Sequence, residues 1–404
     1  MRELFVGAQI VDGTGSALFE ADVVIEDGVI LDVGTDLDAD AVWDCSGKWI
    51  MPGAIDCHVH LMVESFEISR IVETPFSLPF YFALANMRKT LNAGVTFVRD
   101  TGGADLGVKR SQQLGYAEGP GMLISVNLLS ITGGHADHWS TCGFALPDLV
   151  AHPGRPDGVC DGPEEVVRRT REMLRAGADF IKVCATGGVL SPSDHPSHEQ
   201  FLLDELSAIV SVAAGAGRAV AAHAHGTKGI KNAIRAGVRS IEHGTFLDDE
   251  AIGEMIEREV FLVPTLTALH GMIAFPELYR EHEIAQAREL VEAQRDSVSR
   301  AIRAGVKIAL GSDAGVSPHG NNLQELPLLV ELGMTPAEAI RTATQSGAEL
   351  LGISSERGRV RPGLQADLLI LDEDPTDSVL GLAHGKSIRS VIQGGKVVFG
   401  EASV

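Results

Sequence analysis

From about residue 50 to residue 350, short apolar runs alternate with amphipathic stretches, and this alternation constrains the fold more than any other feature of the chain. Eight runs read as strands: 51–60, 96–101, 122–130, 180–186, 219–225, 240–245, 261–267 and 307–313. Helical patterns such as FALANMRKTLNAG, PEEVVRRTREMLRAG and IKNAIRAG follow most of them, several ending in glycine, a common helix stop. Repeated β-then-α units place successive strands side by side and parallel, and eight of them predict a (β/α)8 TIM barrel in the α/β class. The stretches 61–80, 131–162 and 268–284 are too long for simple connections. Each follows a strand, so in a barrel each lies over the C-terminal mouth, where sites are built.

The two ends read differently. LFVGAQIVDGTG and ADVVIEDGVILDVG each carry Asp-Gly, a strong hairpin signal, and GLQADLLILDEDP with IRSVIQGGKVVFG repeats the β-rich pattern at the other end. The expectation is a small β-sandwich domain built from both termini, residues 1–50 plus 352–404, beside a barrel of 51–351. A chain of 404 residues has room for a barrel of about 250 residues and such a companion.

Charge and cysteine usage exclude some functions. With 33 Lys+Arg against 55 Asp+Glu the net charge is −22, which repels phosphate backbones and argues against nucleic-acid binding. The five cysteines at 45, 57, 142, 160 and 184 show no CxxC spacing and read as reduced thiols. The N-terminal stretch MRELFVGAQIVDGTG lacks an apolar secretory core, and no window approaches the roughly 20 apolar residues of a membrane span. A soluble cytoplasmic protein with no membrane partner is expected.

The histidines carry the chemistry. His58 and His60 end the first predicted strand in AIDCHVH, and residues i and i+2 of a strand share a face. His135 follows the third strand in ITGGHADHW, and Lys182 lies on the fourth in FIKVCATGG. His223 and His225 end the fifth in AAHAHG, His243 the sixth in IEHGT, and Asp313 the eighth in ALGSDAG. A lone histidine on an apolar strand is more often a satisfied core residue than a ligand. Here histidines and an aspartate from four strands open on one rim, and metal binding is the better account. Imidazole and carboxylate donors suit zinc, manganese or iron. Asp313 could instead cap a helix, and His135 could cap the turn at Gly133 and Gly134. Strand parity leaves open whether His223 or His225 is the ligand. His138, His195, His198 and His319 fall in polar rim segments and read as solvated.

The stretches MPGAIDCHVH, FIKVCATGG, HAHG, IEHGT, GSDAG and GRVRPGLQADLLILDEDP, in this order, make the chain resemble the amidohydrolase superfamily over nearly its whole length. Within it, RDTGG after the second strand and TGGH after the third resemble the imidazolonepropionase-like and prolidase-like (Xaa-Pro or Xaa-Arg dipeptidase type) hydrolases. The resemblance implies a binuclear centre of two divalent cations, with zinc the expected metal. It assigns His58, His60 and Asp313 to the more buried ion, and His223 and His243 to the other. Lys182, carboxylated by carbon dioxide, would bridge the two as a carbamate; a lysine simply binding substrate carboxylate is the plainer alternative. His225 is then left as a substrate contact, and His135 as a donor to the substrate carbonyl or its oxyanion.

The implied reaction is hydrolysis of an amide bond by a metal-bridging hydroxide, with Asp313 as general acid and base. The implied substrate is a dipeptide or N-acyl amino acid, with a cyclic, imidazolone-like amide as the alternative. His-Ala-His-Gly lacks the acidic motif of the imidazolonepropionase branch. An inactive barrel serving as a scaffold would have lost ligands, whereas all six positions are filled. Association into a homo-oligomer is a further expectation.

Overall fold

The computed structural model describes residues 1–64, 72–137, 139, 143, 152–190 and 194–401. His138 and Cys142, and parts of the predicted long connections 61–80 and 131–162, lie outside them. The other four cysteines are free and buried.

Both ends of the chain meet in one eight-stranded, largely antiparallel sheet. Its order runs Lys396–Gly400, Ile388–Gln393, Leu368–Leu371, Trp49–Pro52, Arg2–Ile10, Phe19–Glu26 and Val29–Gly34, with Ala41–Asp44 paired to Arg2–Ile10. The seam between the ends is Trp49–Pro52 against Leu368–Leu371, in register from Leu368↔Pro52 to Leu371↔Trp49. Alternate residues such as Phe5, Val23, Ile25, Ile50, Leu368 and Ile370 form the sheet's own apolar cluster. Asp27-Gly28 turns the Phe19–Glu26/Val29–Gly34 hairpin with φ of 50° and 81°, the positive pair that an Asp-Gly turn supplies.

Between these ends the strands of the described residues pair in parallel. Ala54–Val59, Val95–Asp100 and Gly121–Ile124 form a three-stranded sheet. Leu128–Leu129, Ile181–Cys184, Val220–Ala224, Ser240–His243 and Phe261–Val263 form a five-stranded one. Within each of these sheets every strand neighbours the next in sequence, as repeated β-α units require. Helices such as Leu78–Asn92, Gly162–Arg175, Leu203–Gly215 and Thr227–Ala236 lie between them along the chain.

The described residues form two parallel sheets, and the termini form one sheet. Three expectations need correction. The predicted strand 51–60 divides at Gly53, whose missing side chain admits Thr96 within 2.3 Å of where a Cβ would stand. The predicted strand 122–130 breaks at Val126, with φ of 70°; its first half pairs with Val95–Asp100 and its second with Ile181–Cys184. The run 307–313 is no regular strand. It touches one sheet at Leu262↔Ile308, and just beyond it Ala314 touches the other at Val59.

The predicted connection 268–284 is largely helical: Leu266–Ala274, a short turn Pro276–Leu278, and a helix beginning at Glu281. Leu266, Ala268, Leu269 and Met272 are all buried. A helix covered on nearly every side shows no amphipathic period, so its sequence gave no helical signal.

Candidate metal centre

The C-terminal ends of these strands carry two triads of ligand-type side chains, His58–His60–Asp313 and His223–His225–His243, each with its donor atoms within 4.8 Å of one another. Lys182, 1% exposed, sits beside both: its Nζ is 3.4 Å from His58 Nε2, and its charge acts on His223 and His243. The rings are crowded, with His58 and His243 centroids 5.2 Å apart and His225 stacked on His243 at 4.7 Å. His135 stacks on His223 at 4.2 Å. Gly188 makes this stack possible, since a Cβ there would lie 2.1 Å from the His135 ring. All eight candidate residues read from the sequence are thus brought into one neighbourhood. His195 and His198 are exposed as expected, but His319 is partly buried, its Nε2 3.2 Å from the His60 carbonyl. The loop after Asp313 folds back across the first strand and buries it.

The backbone is strained where the ligands sit. His243, Thr265 and Asp313 have φ of 72°, 51° and 53°, the left-handed region that costs a non-glycine residue about 1 kcal/mol or more. Asp56 holds the first strand to the Asp313 segment, accepting from the backbone N–H of His58 and Ser312 and from the side chains of Ser312 and Asn322.

Each ring has its other nitrogen engaged. His58 Nδ1 meets Glu242 Oε2 at 2.7 Å, His60 Nδ1 the Gly102 carbonyl at 2.9 Å, and His223 Nε2 the Gly187 carbonyl at 3.1 Å. These acceptors compel the ring to carry its proton there, leaving a lone pair on the opposite nitrogen. His243 Nδ1 meets Thr265 Oγ1 at 2.6 Å, and that hydroxyl already donates to the Pro264 carbonyl, with the same consequence. His225 Nδ1 meets Thr245 Oγ1 at 2.7 Å, a partner that can donate or accept.

Burial depresses the basicity of most rings. His58 is pushed down to about 4 and His225 to about 3, while His223 and His243 fall well below the ordinary value, burial acting first and neighbouring cations or imidazoles adding to it. His60 is the exception: burial opposes its charge, but Asp313 raises it. Burial also lowers Lys182. For Asp313 burial works against ionisation, yet His58, His60 and Lys182 hold it below the usual carboxylate range.

The donor set fits a metal. Asp313 Oδ1 is buried and forms no hydrogen bond with a described residue, standing 3.4 and 3.3 Å from His58 Nε2 and His60 Nε2, and a carboxylate oxygen so placed among imidazole lone pairs suits a cation.

Sequence reasoning missed the braces: Glu242, Arg99, Asp56, Thr245 and Thr265. One signal was present, because Arg99 in RDTGG and Glu242 in IEHGT put opposite charges inside strands that are otherwise apolar.

Beside the triads an apolar cluster gathers residues from several rim segments: Val189, Leu269, Met272 and Val316, with Phe246 and Tyr279 packed against it. It adjoins the site directly, since Phe246 N–H donates to the His225 carbonyl and Val316 N–H to that of Asp313.

The amidohydrolase family model matches residues 49–398. Ochratoxinase of Aspergillus niger is 33% identical over 97% of this chain and 85% of its own length. Imidazolonepropionase of Geobacillus kaustophilus is 26% identical over 95% of this chain and 91% of its own. Among solved structures, a Xaa-Pro dipeptidase with methionine bound in its active site superposes with a TM-score of 0.91 at 31% identity, covering 99% of this chain and all of that one.

Proposed function

The chain belongs to the amidohydrolase family, and from that premise we propose that it is a metal-dependent hydrolase of an amide bond in a dipeptide or N-acyl amino acid. The observation that carries the reading is the convergence of two ligand triads on one buried lysine. In this reading the two parallel sheets are arcs of a single (β/α)8 barrel over 51–351, and the terminal sheet belongs to a companion β-sandwich of 1–50 and 352–404. The joining of the arcs through 307–314 supports it.

His58, His60 and Asp313 would hold one divalent cation and His223 and His243 a second, with Lys182, as a carbamate, an anionic oxygen donor beside them; zinc suits these donors. The choice of His223 over His225 rests on tautomers: the Gly187 carbonyl fixes the His223 proton, whereas Thr245 leaves His225 free to present either nitrogen. Bound cations would polarise the scissile carbonyl and make water acidic enough to attack at neutral pH.

The chain's own residues do the rest. Asp313, which bound cations would keep ionised, accepts the proton of the attacking water and passes it to the leaving nitrogen. His135, stacked on His223, donates to the carbonyl oxygen as it becomes an oxyanion, and His225 contacts the substrate. The apolar cluster bordering Phe246 and Tyr279 favours an apolar substituent beside the amide.

Elemental analysis of the purified protein and of Lys182→Ala tests the centre. About two equivalents of metal in the parent and a clear loss in the variant are expected. A parent without metal, even after purification with added zinc or manganese, would sink the reading. A panel of N-acyl amino acids, dipeptides and cyclic amides, with apolar and cationic side chains compared, then identifies the bond.

A further inference from the structure

Beneath the His58 ring lies a charged pair that amide hydrolysis does not itself require. Arg99 and Glu242, 4% and 0% exposed, come from the strands Val95–Asp100 and Ser240–His243. Arg99 Nη2 donates to both Glu242 oxygens at 2.8 and 3.0 Å, its Nη1 to Ser240 Oγ at 3.1 Å, and its Nε to the Cys57 carbonyl at 2.6 Å. Ser240 Oγ donates in turn to Glu242 Oε1. Glu242 Oε2 then accepts from His58 Nδ1 at 2.7 Å.

An ion pair this deep is poor value as a stabiliser, because desolvating both charges consumes most of what their attraction returns. Its geometry shows a different use: everything it fixes ends on one ring nitrogen. A carboxylate can only accept, so a Glu242 kept ionised by Arg99 obliges His58 to carry its proton on Nδ1. The Nε2 lone pair is left on the side of Lys182 and Asp313, each 3.4 Å away. Among the described residues no other ring of the two triads is braced from behind by a charge; their rear partners are the Gly102 and Gly187 carbonyls and the Thr245 and Thr265 hydroxyls.

We propose that Glu242, clamped by Arg99 and Ser240, is a positioning residue that locks the His58 tautomer and thereby sets the cation affinity of the His58–His60–Asp313 side alone. This rests on the metal-centre reading above, and the test separates the two. In metal-free protein carrying 15N-histidine, with His58 identified by comparison with His58→Gln, long-range 1H–15N spectra are expected to show Nδ1 protonated and Nε2 bare. In Glu242→Gln the side-chain amide can donate to Nδ1, and the proton is expected to move wholly or partly to Nε2. A parent ring protonated on Nε2, or a Glu242→Gln ring unchanged, overturns the proposal without involving any metal.

The second arm titrates zinc against a chelating dye. Of two equivalents in the parent, one is expected to weaken roughly 10- to 100-fold in Glu242→Gln and the other by less than about threefold, the range found when a carboxylate behind a ligating histidine is removed. Equal weakening of both, or of neither, overturns the proposal. A parent that takes up no zinc defeats the metal-centre reading, while the spectra still decide the tautomer. Glu325→Gln alters another fully buried acid that touches no ring of the triads and is expected to leave both affinities unchanged. Should Glu242→Gln not fold, Ser240→Ala removes one of the hydrogen bonds that hold Glu242, and a smaller weakening of the same single equivalent is expected.

Discussion

The two ligand triads lie against each other and are braced by opposite means. Behind His58 stands an ionised carboxylate, with Glu242 held down to about 2 by Arg99 and His58 against the cost of its burial. Behind His243 stand a threonine hydroxyl and, beyond it, a carboxyl that touches no ring. Glu325 accepts from the backbone of Leu266 and Thr267, has no cationic partner among its contacts, and is pushed up by burial to about 8. At neutral pH His58 therefore has a charged support and His243 a hydroxyl, while Glu325 is a neutral buried acid that supports neither ring. The comparison teaches that burial alone does not decide whether an acid is charged; a paired guanidinium does.

The largest test falls on the charged side. Asp313→Asn should lower kcat by about 10²- to 10⁴-fold, the usual worth of a positioned acid–base group, with KM nearly unchanged. Steady-state kinetics on whichever amide the panel identifies would show this. A loss confined to KM would reassign Asp313 to substrate binding.

Glu325 gives the next largest effect, in stability. Its folded pKa lies above its ordinary 4.5, so the unfolded chain ionises first as pH rises. The stability it contributes is complete below pH 4.5 and is lost progressively as pH climbs towards about 8, a change on the order of a few kcal/mol. Urea unfolding at pH 5 and pH 8.5 should show this decline, and Glu325→Gln should flatten it. An unchanged pH profile in the variant would mean that Glu325 is ionised after all, and the contrast with Glu242 would fail.

Differential metal loss comes third. An ion held by neutral imidazoles lacks the attraction of Asp313, so a chelator should strip the His223–His243 side at least about tenfold faster than the other. Loss of both equivalents in a single phase would show that a shared bridge, and not local charge, controls retention. Thr265→Val is the smallest test. It frees the His243 tautomer without removing a charge, and the second equivalent should weaken by only a few-fold, read by the same dye competition.

Much of this site was legible in the sequence because its residues break the local pattern. Two histidines in AIDCHVH, two in AAHAHG and one in IEHGT stand where apolar side chains belong, and strand parity alone turns each pair to one face. The hairpin at Asp27-Gly28 was readable for a similar reason: few residues other than glycine accept its φ. The helix Leu266–Ala274 was not, because its buried residues leave no amphipathic contrast to read. Nor was the break at Val126, a β-branched residue in a conformation that its own chemistry disfavours.

The sequence by itself determined the parallel β-α repetition and the identity of the candidate ligands, since these depend on periodicity and on side-chain chemistry. Tertiary structure alone decided which nitrogen of His58, His60, His223 and His243 carries a proton, which buried acid is charged, and that Asp313 takes up a strained backbone beside His58. Those outcomes hang on contacts between residues as far apart as His58 and Glu242, or Asp56 and Asn322. A hydrogen bond fixes a tautomer only once folding has brought its acceptor within about 3 Å of the ring, and no local pattern encodes that distance.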